Sequence, residues 1–262
     1  MYNFEFLRPA SVADAVAALA DEDAQALGGG QTLLPTMKAR LASPTKLVSL
    51  SGIDGLAHVN ASGGVVEIGG ATTHAQVAEE AASAFPALAK LAGGIGDPAV
   101  RNRGTIGGSV ANNDPAACYP SAVLGTGATV VTDRREIAAD DYFVGMFETA
   151  LEPGEIITAI RFPVPQAAHY AKFQQPASRF ALVGVFVARF ASGVRVAVTG
   201  ASENGVFRWT DAEQALSADF SAGALDGLEA SADGLISDLH GTGAYRANLV
   251  KVMTGRAVSA AG

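Results

Sequence analysis

Two glycine-rich segments constrain the fold of this chain more than any other feature. They read Leu27-Gly28-Gly29-Gly30-Gln31-Thr32 and Gly104-Thr105-Ile106-Gly107-Gly108-Ser109. Because glycine has no Cβ, the neighbouring backbone N–H groups can turn toward an anion and approach it closely. Two such segments, each followed by hydroxyl or amide side chains, predict a long, doubly charged ligand held from two sides. A tight strand-to-helix turn for the first segment and a solvated Asx turn after the second are the simpler alternatives.

The composition narrows the class of protein. The chain has 262 residues, of which 49% are hydrophobic and 17% charged, and its net charge is −8. The negative balance argues against nucleic acid as the main partner. The single cysteine, Cys118, excludes an intrachain disulfide and a cysteine-built metal or iron–sulfur site within this chain. With no signal-peptide pattern and no apolar run long enough for a bilayer, we expect a cytoplasmic protein without a transmembrane segment.

The first fifty residues predict a small β-α-β-α-β unit. Ser11 and Asp14 form a capping box that opens a helix. The predicted elements are that helix to about residue 21, a strand near Ala26 and Leu27, a helix over 32–41 and a strand over 46–50.

The rest of the chain divides at Pro163 and Pro165. Before them we predict strands over 65–68, 128–132 and 155–162, helices over 85–91 and 119–124, and a long functional loop over 92–115. After them, strands over 170–173, 181–190 and 194–199 and helical patterns over 211–216, 222–230 and 245–257 predict a separate α+β unit.

Several catalytic patterns are missing from the sequence. Residues 94–99 fit the dinucleotide pattern G-x-G-x-x-A, but they follow a helix, and Pro98 is expected to break the helix that such a motif opens. No nucleophile stands beside a base, and we expect each histidine to be a surface or satisfied side chain; the four are His58, His74, His169 and His240. If the chain is an enzyme, a bound cofactor must therefore carry the chemistry.

The residues of both glycine segments suggest how a phosphate-bearing ligand is held. The backbone amides of Gly29, Gly30, Gln31 and Thr32 would donate to pyrophosphate oxygens. The side chains of Thr105, Ser109 and Asn112 would lie along a phosphate, ribityl chain or flavin ring. Valine at Gly29 and Gly107 is expected to abolish binding by occupying the path of the phosphates.

A family resemblance accompanies these motifs along nearly the whole chain. The matching segments are Phe4 to Pro9, Gly28 to Pro35 with Lys38, Arg40 and Leu41, Ile68 to Thr73, Asp97 to Asp114 with its core Arg101-Asn102-Arg103-Gly104-Thr105-Ile106-Gly107-Gly108, Glu152 to Ile157, Lys172-Phe173 and Tyr245-Arg246. In these segments the chain resembles the FAD-binding medium subunits of the molybdenum hydroxylases, the family of carbon monoxide dehydrogenase and xanthine dehydrogenase.

The resemblance implies a fold and a set of FAD contacts. The fold class is α+β: a two-lobed FAD-binding domain of the vanillyl-alcohol-oxidase (PCMH) type over 1–164, with lobes of about 1–53 and 54–164, and a C-terminal α+β domain with a small antiparallel sheet over 165–262. FAD is expected to bind noncovalently. The implied contacts are Gly28, Gly29, Gly30, Gln31 and Thr32 on the pyrophosphate, Thr105, Gly107, Gly108, Ser109 and Asn112 in the second stretch, Ile157 beside the flavin, and either Lys172 or Gln174 near the pyrimidine end of the ring.

Two departures from the family pattern bear on these contacts. Cys118 stands where many relatives have aspartate, at a position that the resemblance places on the adenosine half, and Asp114 is the candidate substitute. Ser109 stands where asparagine is common and is a shorter donor. For Cys118 itself we favour a small buried apolar residue over a redox role.

The resemblance also implies partners. A large subunit with a molybdopterin cofactor would oxidise the substrate, a small subunit with two [2Fe–2S] clusters would pass electrons on, and this chain's FAD would deliver them to an external acceptor. The expected assembly is a dimer of heterotrimers. The alternatives are a stand-alone FAD-dependent reductase of the same fold and an assembly module that has lost its flavin. Carbon monoxide, aldehydes, purines and other N-heterocycles stay open as substrates, as do quinone, NAD and oxygen as acceptors.

Overall fold

The N-terminal unit is a three-stranded parallel sheet with two short helices. The computed structural model describes all 262 residues. The elements are β1 (Glu5–Leu7), α1 (Val12–Ala18), β2 (Ala24–Leu27), α2 (Leu33–Lys38) and β3 (Lys46–Ser49). The strand order is β1-β3-β2, with β3 pairing in parallel to both neighbours. The predicted β-α-β-α-β unit is thus confirmed, with the first glycine segment connecting β2 to α2.

Both helices of this unit are shorter than their sequence patterns predict. In α1 the Ser11 hydroxyl accepts from the Asp14 amide at 3.1 Å, which confirms the predicted cap. The helix ends at Ala18 rather than near Asp21, because acidic residues are unfavourable at the negative end of the helix dipole. In α2 the chain turns into the left-handed region at Arg40 (φ 61°), so the helix cannot reach Leu41.

The second unit is built on a five-stranded antiparallel sheet. Its elements are β4 (Val59–Ser62), β5 (Val65–Gly69), α3 (His74–Glu80), α4 (Pro86–Gly93), α5 (Pro98–Arg101), α6 (Ile106–Asn112), α7 (Tyr119–Thr126), β6 (Thr129–Thr132), β7 (Glu136–Ala138), α8 (Ala139–Tyr142), β8 (Phe143–Gly145), β9 (Glu148–Thr149) and β10 (Ile157–Pro163). The sheet order is β4-β5-β10-β6-β7, and β8 and β9 form a separate hairpin.

The segment predicted as one long loop over 92–115 contains two helices. Asp97 caps α5 by accepting from the Val100 amide at 2.9 Å, and Thr105 caps α6 by accepting from the Gly108 amide at 3.2 Å. Pro98 occupies the first turn of α5, where a missing N–H costs nothing, so it begins a helix instead of breaking one. The prediction of one continuous loop over 92–115 was wrong, because the many glycines suggested irregular backbone although two short capped helices form there.

The C-terminal unit pairs an antiparallel sheet with a long helix. Its elements are β11 (Ala167–Gln174), β12 (Ala181–Phe190), β13 (Gly193–Thr199), β14 (Phe207–Arg208), α9 (Thr210–Ala218), a 3₁₀ turn (Ala222–Leu225) and α10 (Gly243–Ala261). The strands lie in sequence order, which confirms the predicted small antiparallel sheet with helices. The helix predicted over 222–230 is only this 3₁₀ turn, because Gly227 takes a left-handed φ of 84°.

Strand β12 joins the second and third units through its two faces. Val183, Val185 and Val187 pack into the core beneath α9 and α10. Phe186, on the opposite face, packs edge-on against Phe85 of the second unit, with ring centroids 6.2 Å apart. The predicted boundary near residue 165 therefore coincides with a change of sheet while packing continues across it, and the division into domains stays a prediction. None of the helices combines the length and apolarity needed to cross a bilayer.

Candidate functional site

A cleft of about 700 Å³ is lined by all three units. This volume is within the range of small-molecule and cofactor sites. Of the site residues predicted from the sequence, the structure brings the following to its wall: Gly28, Gly29, Gly30, Gln31, Thr32, Thr105, Gly107, Gly108, Ser109, Asn112, Asp114, Cys118, Ile157 and Lys172. Gln174 is the exception, since it lies exposed at the end of β11 and outside the cleft.

The first glycine segment presents unused backbone donors. None of the backbone N–H groups from Gly28 to Leu33 donates to an acceptor within the chain. Gly30 has a φ of +71°, which glycine tolerates without strain, and this conformation turns the chain from β2 into α2. Gln31 and Thr32 are exposed beside it. A run of free amides at the wall of a cleft is the kind of concavity that binds phosphate.

The second glycine segment has its backbone donors committed within the fold. The hydrogen bonds that these amides donate are Ile106 N to Thr72 O at 3.0 Å, Gly107 N to Gly70 O at 2.9 Å, Gly108 N to Thr105 Oγ1 at 3.2 Å and Ser109 N to Thr105 O at 3.0 Å. The Thr105 hydroxyl is therefore first a helix cap. What this segment offers to a ligand is the side chains of Ser109 and Asn112, which line the cleft.

The two segments are packed directly against each other. A Cβ added at Gly29 would overlap the carbonyl oxygen of Arg103, and one added at Gly107 would come to 2.5 Å from the carbonyl oxygen of Gly70. Valine at these glycines would therefore collide with neighbouring backbone. At Gly29 and Gly107, the expected effect of valine therefore comes from this collision with backbone and not from obstruction of the phosphate path.

At another part of the cleft wall, Lys172 and Cys118 are in contact. The Lys172 ammonium donates to the carbonyl oxygens of Gly94 at 2.7 Å and Arg179 at 3.0 Å, and it lies 3.7 Å from the Cys118 sulfur. Of the two candidates for the ring contact, Lys172 lines the cleft and Gln174 does not.

This contact corrects one implication of the resemblance. An extended FAD cannot have Cys118 on its adenosine half and Lys172 at the pyrimidine end of its ring, because the two side chains touch. Cys118 is buried, as predicted, and burial raises the pKa of its thiol. Asp114 also lines the cleft, where its Oδ1 accepts from the Ala116 amide at 2.8 Å in a local turn, and its role as a substitute carboxylate stays a prediction.

Sequence reasoning missed His74, which lies behind the second glycine segment. Its side chain is buried and lines the cleft, and its Nδ1 has no hydrogen-bond partner, so it is neither a surface nor a satisfied histidine. Burial lowers its pKa to about 4, with a smaller contribution from Arg101, and the ring is neutral at pH 7. The signal in the sequence is the capping box of Thr73 and Gln76, which marks the start of α3 at His74.

The turn between β11 and β12 was also missed. Arg179 and Phe180 line the cleft from this turn, and Arg179 has a left-handed φ of 63°. Its Nη1 donates to the carbonyl oxygen of Gly96 at 3.3 Å. Phe180 is about half exposed, at 49%. No pattern in the sequence marks these residues, because the turn meets the cleft only through the packing of β11 and β12.

Comparisons with known proteins agree with this geometry. Residues 2–165 match the family model of the FAD binding domain in molybdopterin dehydrogenase. The carbon monoxide dehydrogenase medium chain of Afipia carboxidovorans is 36% identical over 99% of this chain and 96% of its own length. The nicotine 6-hydroxylase medium subunit of Paenarthrobacter nicotinovorans is 37% identical over 98% and 96%.

A solved structure gives the same result for the fold. The reconstituted carbon monoxide dehydrogenase from Oligotropha carboxidovorans superposes with a TM-score of 0.89 at 34% identity, covering 100% of this chain and 99% of the matched chain. The predicted fold class and family are confirmed. This chain belongs to the FAD-binding medium subunits of the molybdenum hydroxylase family.

Proposed function

We propose that this chain binds FAD noncovalently in the cleft and, as the medium subunit of a molybdenum hydroxylase, passes electrons from an iron–sulfur subunit to an external acceptor. The observation that carries the proposal is the run of free backbone amides from Gly28 to Leu33. An anionic group satisfies several of these donors at once, which no group of the chain itself does.

The residues present fit FAD from its pyrophosphate to its flavin ring. Gly28 to Thr32 would hold the pyrophosphate through their amides. Ser109 and Asn112 would bond the polar middle of the molecule, and Ile157 would pack on the ring. Lys172 would lie near the polar edge of the ring. FAD, once bound, supplies the chemistry of accepting and donating electrons.

The chain's own residues then position the cofactor and set its surroundings. The first glycine segment packs at Gly29 against the backbone of Arg103 and Gly104, and this contact fixes the position of the two glycine segments relative to each other. The buried His74 is neutral, so it adds polarity without charge to the wall. Orientation and electrostatics are the protein's share of the work in a flavoprotein of this kind.

The partners follow from the relatives. We propose a large molybdopterin subunit and a small subunit with two [2Fe–2S] clusters, assembled as two heterotrimers in the cytoplasm. Support comes from medium chains that match this chain along nearly their whole length. The names of these relatives include carbon monoxide and nicotine as substrates, so we assign the choice of substrate to the large subunit.

The test measures FAD binding by the purified chain and by a variant that carries a negative charge beside the free amides. Thr32 is exposed and makes no side-chain cap, so it tolerates substitution. We expect Thr32→Asp to weaken FAD binding at least tenfold relative to its isosteric control Thr32→Asn. A tenfold loss corresponds to about 1.4 kcal/mol, which is less than the roughly 4 kcal/mol between two like unit charges 4 Å apart at an effective dielectric of about 20.

Binding is measured by quenching of flavin fluorescence, with FMN as a second ligand. We expect FMN to bind more weakly than FAD, because it lacks the second phosphate and the adenosine. Purified chain that takes up no flavin, or equal affinity in the aspartate and asparagine variants, contradicts the proposal. Full turnover by the chain without partner subunits would favour a stand-alone reductase instead.

A further inference from the structure

Three cationic side chains meet on one turn at the wall of the cleft. Arg101, Lys172 and Arg179, here called the cationic wall, come from α5, β11 and the turn after β11, and all donate to the carbonyl oxygens of residues 94–96. The contacts are Lys172 Nζ to Gly94 O at 2.7 Å, Arg101 Nη1 to Ile95 O at 3.0 Å and to Gly96 O at 3.1 Å, and Arg179 Nη1 to Gly96 O at 3.3 Å.

The charge of the cationic wall is not neutralised by carboxylates. None of its three members forms an ion pair within 4 Å, whereas seven other Lys and Arg side chains do: Lys46, Arg134, Arg135, Arg161, Arg195, Arg208 and Arg246. The acidic residues nearest to Arg101 on either side in the sequence are Asp97 and Asp114, and each accepts from a local backbone amide, of Val100 and of Ala116 respectively.

The other titratable groups around Lys172 are neutral. Cys118 faces it at 3.7 Å, and burial raises the pKa of this thiol. Burial also raises the pKa values of Tyr119 and Tyr170 well above their usual range. His74, which packs on Tyr119 with ring centroids 5.3 Å apart, is neutral. Cys118 thus occupies the place at which a carboxylate would pair with Lys172.

Members of the cationic wall reach the cofactor cleft. Lys172 and Arg179 line it, together with Gly96 and Cys118. The free amides of the first glycine segment lie on a different part of the cleft wall, where they are available for the pyrophosphate. FAD carries the flavin ring on one side of its pyrophosphate and the adenosine on the other, and the proposed contact of Lys172 with the polar edge of the ring puts the flavin at the cationic wall.

We propose that the cationic wall, in which a neutral thiol rather than a carboxylate stands beside Lys172, stabilises the negative charge that reduction places on the flavin ring and so raises the midpoint potential of the bound FAD. Uptake of two electrons and one proton leaves one negative charge on the ring. A nearby cation lowers the free energy of that reduced form more than that of the neutral oxidised form. The inference rests on the proposed function, since it requires FAD in this cleft.

The experiment measures the midpoint potential of FAD bound to the full chain, by spectroelectrochemical titration against a reference dye. Cys118→Asp adds a carboxylate beside Lys172, and Cys118→Asn makes the same change of size without the charge. We expect a lower potential with aspartate than with asparagine, with at least a tenfold change in the ratio of oxidised to reduced FAD at a fixed potential. That factor corresponds to about 30 mV for a two-electron couple.

A second pair of variants changes the charge of the cationic wall at an exposed position. It tests the proposal even if the buried aspartate prevents folding. Arg179→Gln removes one cation of the wall, and Arg256→Gln removes an exposed cation from α10 as its control. We expect a lower potential in the Arg179 variant and the wild-type potential in the Arg256 variant. FAD that is bound with equal potentials within each pair overturns this inference alone, whereas wild-type chain that binds no FAD overturns the proposed function as well.

Discussion

The two glycine segments look alike in the sequence and do different work in the structure. In the first, the backbone amides from Gly28 to Leu33 are free. In the second, the amides from Ile106 to Ser109 are all bonded within the fold, and the side chains of Ser109 and Asn112 are what face the cleft. Glycine-rich sequence therefore marks a close approach of backbone in both segments, and only the first segment also keeps free backbone amides for a ligand.

The largest expected effect is on stability, and it tests whether the segments interlock. Gly29→Ala puts a Cβ into the carbonyl oxygen of Arg103, so the backbone of one segment must move. We expect the free energy of unfolding of the FAD-free chain to fall by more than about 3 kcal/mol, at the upper end for overpacked sites. Urea denaturation measures it.

The matched control for this variant is Gly255→Ala on α10. There the added Cβ meets nothing closer than 3.9 Å, so we expect no loss of stability. If the FAD-free Gly29→Ala chain is as stable as the control, the two segments do not depend on each other.

The second-largest effect is on amide hydrogen-exchange rates, which distinguish the free amides of the first segment from the hydrogen-bonded amides of the second. In the FAD-free chain, amides 28–33 should exchange fast, and those of Gly107 to Ser109 slowly. With FAD at 100 times its dissociation constant, exchange over 28–33 should slow by about 100-fold, which corresponds to about 2.7 kcal/mol. Mass spectrometry of peptides covering each segment gives both rates. Slow exchange over 28–33 without FAD would show that these amides have partners, and the comparison would fail.

The smallest effect concerns the cap that holds the second segment. Thr105→Val keeps the shape of the side chain but removes the acceptor of the Gly108 amide. We expect a loss of about 1 kcal/mol in unfolding free energy, the usual contribution of an N-cap, and little loss with Thr105→Ser. Thermal unfolding of the two variants side by side measures the difference. An equal loss in both would mean that the hydroxyl does not cap α6.

Local sequence signals predicted those parts of the fold that depend on near neighbours. The capping pair Ser11–Asp14 marks a helix start within four residues of sequence, and the structure confirms that cap. The same local signals failed at 92–115, where glycines suggested a loop although Asp97 and Thr105 each cap a short helix. Element ends also moved, because single residues such as Arg40 and Gly227 adopt left-handed backbone that no periodicity reveals.

The candidate site was predictable wherever it consists of backbone or follows directly from a motif. The residues Gly28 to Thr32, Ser109 and Asn112 were named from the sequence, and they line the cleft. His74, Arg179 and Phe180 were not, since each reaches the cleft from an element whose position depends on packing. Cys118 and Lys172 were assigned to opposite ends of FAD although their side chains touch, because this contact spans 54 positions of the chain.

The sequence by itself determined the family, the order of strands and helices in the first unit, and the places where backbone must come close to something. Those features follow from residue type and from neighbours a few positions apart. Only the tertiary structure decided which backbone amides are free and which are bonded within the fold, and that a neutral thiol, rather than a carboxylate, stands beside Lys172 among three cations without an ion pair. A backbone donor is free, or a charge unpaired, when no partner lies within reach, and only the packing of the whole chain determines which groups come within reach.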